Sequence, residues 1–389
     1  MGNRPLTVVA ALAAVALGGC RDGVPPFTPV ERPVEGPAYA LTFGYGQDAD
    51  PRWSPAGDTV LYHTTQFGPV PNVPGILLAV PAHGGAAVPV MPDLQRSGGR
   101  PFATPAYSPD GVHVAYMDMM SIDVLVACSR LETLPDGSQE PRSCTPLQPV
   151  LDSALLRVRR IGELRSVSLD PALTVRFDGP DPARRAGSLD TWEDRFHPFQ
   201  ARYRAEHAFL FRPSWAPDGE RITYSDGLSV RIWQVGAATA AQVPGTGDGV
   251  SPAWSPDGEW IAYTVLPRAD SIVHECNCAV GRESVQAIRT VYVDGPGTLV
   301  LVRPDGSERI MLGEGEDPAW SPDGAHIYVR RDDAIVRVPR AGGQAVVIAG
   351  TDRGRSPAVS PDGSRLAFSR RKPTQTTTDY DIWVVSLEQ

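Results

Sequence analysis

The sequence predicts an all-β protein, a six-bladed β-propeller whose blades are four-stranded antiparallel sheets. Three observations carry that reading. A twelve-residue phrase, Pro-x-Trp-Ser-Pro-Asp-Gly-x-x-Ile-Ala-Tyr, recurs six times, beginning at Pro51, Pro105, Pro213, Pro252, Pro318 and Pro357. A second hairpin follows most copies. Strand-like segments also stand at both ends of the array, Tyr39–Phe43 before it and Asp381–Ser386 after it. A short unit of this kind cannot bury its apolar face alone and must stack on its copies.

Within one copy, the aromatic residue ends a short strand. It is Trp53, Tyr107, Trp215, Trp254 and Trp320, and it drifts to Val359 in the last copy. Ser-Pro-Asp-Gly then makes the turn: Pro sets φ, Asp bonds the local backbone and Gly takes the positive-φ position. The turn Asp is replaced by Ala56 in the first copy. A strand rich in β-branched and aromatic residues follows, with Val60, Val114, Ile222, Ile261, Ile327 and Leu366 at its aliphatic position. The second hairpin is clearest at Ile76–Val90, Thr298–Leu312 and Ala334–Ile348, with Gly84-Gly85, Pro304-Asp305-Gly306 and Gly342-Gly343 at the turns. Two hairpins make one blade. The last copy has no fourth strand of its own, so the N-terminal strand is expected to complete the last blade, closing the ring and removing an open edge.

These repeats resemble the TolB-type propeller family over residues 39–389. The TolB protein carries a separate α/β domain before its propeller, for which the first repeat at Pro51 leaves no room. The resemblance therefore implies the fold and does not carry over that family's partners.

Successive copies are spaced by 54, 108, 39, 66 and 39 residues. With 39 as the bare blade, the surplus is about 15, 69 and 27 residues in blades one, two and four, expected near residues 66–75, within 119–212 and near 266–297. A seventh, degenerate blade between residues 145 and 210, with strands at Leu155–Val158 and Leu173–Phe177, is the alternative. No Ser-Pro-Asp-Gly turn occurs there, so six blades is the preferred count. Strand parity puts the loop between second and third strands on the same face as the blade-to-blade crossover. The insertions are thus expected to crowd one face around a channel mouth, where a rigid scaffold presents its binding loops.

The N-terminus reads as an export signal. Arg4 precedes an apolar stretch, Leu6–Ala16, too short to span a bilayer, and Leu17-Gly18-Gly19-Cys20 resembles a bacterial lipobox. Residues 1–19 are the expected signal peptide. Residues 20–38 are the expected tether, lipidated at Cys20 and stiffened by Pro25, Pro26, Pro29, Pro33 and Pro37. Arg21, rather than Asp, follows the Cys; by analogy with Gram-negative sorting this favours the periplasmic face of the outer membrane, with the lipid as the sole membrane contact. The remaining cysteines, Cys128, Cys144, Cys276 and Cys278, are disulfide candidates. A net charge of −9 argues against nucleic acid.

Acidic residues precede several first strands: Asp48, Asp50, Asp248, Glu316 and Asp317, interleaved with Arg52, Arg212 and Arg355. They are expected at the rim of the channel mouth, as a solvated acidic collar that sets partner choice; carboxylates converging there could also hold Ca²⁺. His274-Glu275-Cys276-Asn277-Cys278 has the wrong spacing for paired zinc ligands. His113 and His326 share one repeat position with Thr59, Arg221, Trp260 and Arg365, which marks a solvent-side strand position. Gly245–Gly249 lies in a crossover without a following helix, and no Gly-x-Ser-x-Gly elbow occurs. Two functional readings follow. One is a monomeric, non-catalytic module binding an envelope protein or cell-wall component. The other is a propeller enzyme of the lactonase, lyase or cyclotransferase type acting at the channel mouth.

Overall fold

The computed structural model describes residues 33–43, 47–65, 76–91, 102–122, 129–133, 139–143, 150–163, 165–174, 211–226, 229–267, 271–280, 283–290, 296–373 and 380–387. The chain divides into Met1–Arg32 and Pro33–Gln389. The first unit, with Cys20, and the insertion at 66–75 lie outside the described residues. No described helix is long and apolar enough to cross a membrane.

The repeats fold as six four-stranded antiparallel blades. Blade one is β3 (Gln47–Trp53), β4 (Thr59–Thr65), β5 (Ile76–Pro81) and β6 (Val88–Pro89). Blade two is β7 (Phe102–Tyr107), β8 (His113–Ile122), β11 (Val150–Arg160) and β12 (Ser166–Thr174), and between β8 and β11 a hairpin projects, β9 (Ser129–Thr133) with β10 (Gln139–Ser143). Blade three is β13 (Ser214–Trp215), β14 (Arg221–Ser225), β15 (Val230–Gln234) and β16 (Ala241–Gln242). Blade four is β17 (Gly249–Trp254), β18 (Ile261–Val265), β21 (Thr298–Val302) and β22 (Arg309–Glu314), again with a hairpin before its third strand, β19 (Ser271–Val280) and β20 (Glu283–Thr290). Blade five is β23 (Glu316–Trp320), β24 (His326–Arg331), β25 (Ala334–Pro339) and β26 (Val346–Val347). The segments at Leu155 and Leu173 that could have begun a seventh blade are the third and fourth strands of blade two.

Blade six is β27 (Gly354–Val359), β28 (Arg365–Arg371) and β29 (Tyr380–Ser386), completed by the N-terminal β2 (Ala38–Ala40), with β1 (Val34–Glu35) beyond it. Ala38, Tyr39 and Ala40 face Val385, Val384 and Trp383 in antiparallel register. This strand is shorter than the sequence suggested. Past Ala40 the N–H groups of Leu41 and Thr42 both turn to the Ile382 carbonyl, and Thr42 Oγ1 accepts the Ile382 N–H at 2.9 Å, so a side chain replaces the ladder.

The core lies between blades. Trp53, Val60, Tyr62 and Val80 pack on Ala358, Ile382 and Val384 across the closing seam. Equivalent clusters join blades five and six, four and five, three and four, and one and two. The turns of blades two, four, five and six, which carry both Ser and Asp, repeat one bonding scheme. In blade four Ser255 Oγ donates to Asp257 Oδ1 at 2.5 Å and accepts the Trp260 N–H, while Asp257 Oδ1 accepts the Glu259 N–H. In blade one, where Ala56 replaces the Asp, Asp58 takes the Ser54 hydroxyl at 2.7 Å. Five of the six turn glycines, all but Gly219, nest at positive φ against the turn proline of the preceding blade: a Cβ at Gly258 would stand 3.0 Å from Pro217, and one at Gly111 3.5 Å from Pro55. The turns thus form an interlocked collar.

The crossovers have their own latch. Thr246 Oγ1 donates to the Val243 carbonyl at 2.7 Å and accepts the Val230 N–H at 3.1 Å; Thr351 does the same with Ile348 and Ile335. The glycine-rich run 245–249 is this latch, which accounts for its composition without a phosphate.

Candidate functional site in the channel

The innermost strands line the channel, and their sequence breaks regularity at one place. In blades one, two, four, five and six the pairing of first and second strands slips at the residue before the repeat's proline. Proline has no N–H to give the ladder, so a bulge forms there. The residue before it adopts positive φ: Asp50, Thr104, Ser251, Asp317 and Ser356, between 50° and 59°. Such backbone costs about 1–3 kcal/mol per non-glycine residue and is found where a fold holds side chains in special places. The sixth member of this column, Arg212, lies outside it in conformation. All six are buried.

Two pairs of these side chains, Arg212 with Asp50 and Ser251 with Asp317, bond across blades. Arg212, from blade three, reaches Asp50 in blade one, donating Nε at 3.0 Å and Nη2 at 2.5 Å to Asp50 Oδ1. Arg52 Nη2 stands 2.9 Å from the same oxygen, and its Nη1 donates to the Pro51 carbonyl. Asp317 accepts the Ser251 hydroxyl and the Ser356 N–H, each at 3.3 Å, linking blades four, five and six. Burial disfavours the charged Asp50, but Arg212, then Arg52, outweigh it and hold its pKa below the ordinary carboxylate value. Burial, then repulsion from Arg212, lowers Arg52 to about 10. His63, on β4 beside Asp50, is buried and lowered to about 4, chiefly by desolvation, with the two arginines adding to it against Asp50.

On the turn face the channel widens into a cavity of about 460 Å³. Its walls are the repeat aromatics Trp53, Tyr107, Trp215, Trp254 and Trp320 with Val359, backed by the turn prolines. Three of the four indoles are fixed by the neighbouring blade: Trp53, Trp215 and Trp320 donate Nε1 to the carbonyls of Ala358, Ala106 and Ala253 at 2.9, 3.2 and 3.0 Å. The charged residues of its lining are Arg52 and Arg212.

Of the eight rim residues expected from sequence, the structure brings Asp50, Arg52 and Arg212 into contact, with Asp317 close enough to act on Arg52. They form a buried, charge-balanced throat and not a solvated rim. Glu316 pairs with Arg330 at 2.9 Å and accepts the Gly297 N–H. Arg355 stacks on Tyr380 at 4.9 Å. Asp48 is half-buried in β3, and Asp248 holds positive φ in the crossover latch. Among the described residues no group of three or more His, Cys, Asp or Glu is placed to hold a metal. His113 and His326 are half-buried on their strands. Cys276 and Cys278 stand on β19, where the register slips between His274 and Cys278; Cys128 and Cys144 lie outside the described residues, next to the hairpin pair Ser129 and Ser143.

Sequence reasoning missed His63, Thr104, Ser251 and Ser356. The column immediately before each repeat proline would have found the last three, because polar residues fill it in every copy. His63 stands where other copies carry Met117, Ser225, Thr264, Arg330 and Ser369. The three small hydroxyls there bond the next blade's first strand or the segment leading into it: Ser225 to the Gly249 carbonyl, Thr264 to the Gly315 carbonyl, and Ser369 to the Asp50 N–H.

No protein-family model matches the sequence, and no curated protein sequence matches it. Among solved structures the chain is similar to a putative TolB from Agrobacterium tumefaciens (14% identity, TM-score 0.47, 90% of this chain and 93% of that one). It is also similar to TolB from Acinetobacter baumannii (13%, 0.46, 88% and 64%) and to an oligogalacturonate lyase in complex with manganese (12%, 0.45, 90% and 93%). The propeller assignment rests on the strand order and register given above.

Proposed function

We propose that the chain is a TolB-like propeller of the bacterial cell envelope, tethered through a lipid on Cys20 to the periplasmic face of the outer membrane. It works there as a non-catalytic module that binds another envelope protein or a cell-wall component. The observation that supports this reading is the pair of hairpins β9–β10 and β19–β20. Both leave the scaffold between the second and third strands of a blade, hence on one face, and β9 lies against β19. Blade three, between them, has only a short connection there, so the two hairpins form a raised surface on a rigid ring.

The channel chemistry favours binding over catalysis. A general base works best with a pKa near the working pH. His63 at about 4 and an Asp50 held low by two arginines are both weak bases at neutral pH. An enzyme of the lactonase, lyase or cyclotransferase type would need a group with a better-matched pKa.

The test replaces residues 268–295 with a short linker in the lipidated protein. Wild type and variant are purified from membranes after mild cross-linking. The expected result is a folded propeller that has lost a stoichiometric envelope partner. Capture of the same partner by both proteins would refute the proposed face. Recovery of a Cys20→Ser variant in the membrane fraction would refute the anchor.

A further inference from the structure

We propose that the outer edge of blade four is a self-association surface, on which β22 pairs antiparallel with β22 of a second copy of this chain across a two-fold axis. This goes beyond the envelope-binding reading and does not depend on it, because it uses the outer edge of one blade and neither hairpin.

The blades differ at their outer edges. Blades one, three and five end on strands of two residues, β6, β16 and β26, and blade six on the two-residue β1. So short an edge offers another chain few backbone groups to pair with, one of the ways in which β-proteins keep their sheets apart. β12, the last strand of blade two, is long but carries Pro171. β22 has neither protection. It runs for six residues, Arg309-Ile-Met-Leu-Gly-Glu314, without proline, and among the described residues no strand pairs with its outer side.

Its backbone is aimed outward. Arg303 donates its N–H to the Glu308 carbonyl, so that pair is bonded within the blade. Bonded and non-bonded pairs alternate along an antiparallel ladder. Val302 faces Arg309, Leu301 faces Ile310 and Val300 faces Met311. Ile310 is therefore the next bonded residue, and the N–H and C=O groups of Arg309 and Met311 turn away from β21. Beyond a register slip at Leu312, Gly315 donates to the Gly297 carbonyl, and the same alternation turns Glu314 outward, where its carbonyl accepts from Arg331. The side chains agree. Met311 is 69% exposed, the most of any large apolar side chain described, and Val347, on the edge of blade five, is 65% exposed. The two edges adjoin, since Leu312 of β22 and Ala345 beside β26 pack on one interblade core. An open ladder next to an exposed apolar strip is a surface suited to an added strand.

Charge selects the occupant. A two-fold contact needs one patch that complements itself. β22 carries a cation at its first residue, Arg309, and an anion at its last, Glu314, with four uncharged residues between them, and both charged residues are exposed. Antiparallel pairing of two copies sets Arg309 of each against Glu314 of the other, with Met311 against Leu312 at the centre. Parallel pairing would set like charges together.

The test follows the mass of the mature chain, purified in detergent, by sedimentation velocity over a range of concentrations. Wild type is expected to form a dimer. Met311→Pro removes an N–H that the blade's own ladder does not use, so it should give a monomer whose thermal unfolding stays cooperative. Arg309→Glu and Glu314→Arg should each weaken the dimer at least about tenfold, because like charges then oppose one another, and the double variant should restore it. Arg309 also lies beside Tyr263, so each charge variant is checked by thermal unfolding. Rescue by the double variant separates this contact from a dimer formed elsewhere on the ring and from pairing of the edge with a different protein. The proposal is overturned if wild type is a monomer at every concentration, if Met311→Pro still dimerises, or if the double variant associates no better than the single ones.

Discussion

Arg212→Met tests the throat most directly. The substitution keeps the length of the side chain and its packing while removing both donors to Asp50. Arg212 and Asp50 are 3% and 1% exposed, so solvent screens the pair little. Breaking a buried pair by removing one partner costs about 3–5 kcal/mol. Arg52 remains 2.9 Å from the same Asp50 oxygen, which places the expected loss at the lower end, about 3 kcal/mol. With a urea dependence near 3 kcal/mol per molar, the midpoint falls by about 1 M. The assay is urea unfolding followed by tryptophan fluorescence.

The pH dependence has a definite sign. The folded pKa of Asp50 lies below its ordinary value of 3.8, so its stabilisation is complete above that value and is lost as pH falls through the folded pKa. The unfolded state cancels in the gap between wild type and variant, so the gap should be constant above the folded pKa of Asp50 in the variant, which rises on loss of Arg212, and shrink as pH falls below it. A midpoint shift under about 0.3 M at pH 7, or a full shift that persists once Asp50 is protonated, would refute the pairing.

Three further outcomes are expected. Gly354→Ala should destabilise by about 1–3 kcal/mol, because a Cβ there would stand 2.5 Å from the Thr351 carbonyl oxygen and 3.0 Å from Phe368; a neutral result in thermal unfolding would contradict the packed latch. His63→Ser should flatten the pH dependence of stability between 6.5 and about 4, where the unfolded wild-type chain gains a proton that the buried imidazole refuses; unchanged slopes in pH-resolved unfolding would contradict its burial. Non-reducing peptide mapping should recover Cys128 joined to Cys144, since Ser129 faces Ser143 at the end of the β9–β10 ladder; free thiols at both positions would exclude the bond.

The sequence made the scaffold legible because each blade repeats the same turn and strand chemistry. Trp254, Gly258 and Ile261 do in blade four what Trp53, Gly57 and Val60 do in blade one. Closure by the N-terminal strand was legible too, from a missing fourth strand. The channel was only half legible. Acidic residues near Pro51 and Pro318 pointed to Asp50 and Asp317. Periodicity could not say which of two adjacent acids, Glu316 or Asp317, turns inward; the positive φ at Asp317 decides that. Nor could it show that Arg212 crosses from blade three to blade one, because a contact between residues 162 positions apart depends on ring geometry and not on local pattern.

The pairing of Ala38–Ala40 with Val385–Trp383 also sets a schedule for the growing chain. At roughly 5–20 residues per second of synthesis, the first strand made waits on the order of 20–70 s for its partner. Contacts of such sequence separation are slow to form. Until β29 arrives, blades one to five have no closing seam, and β2, paired only with β1, keeps one open edge of the kind that joins other chains. Assembly therefore ends where translation began, and anything that shields those few residues in the interval acts on the yield of closed rings.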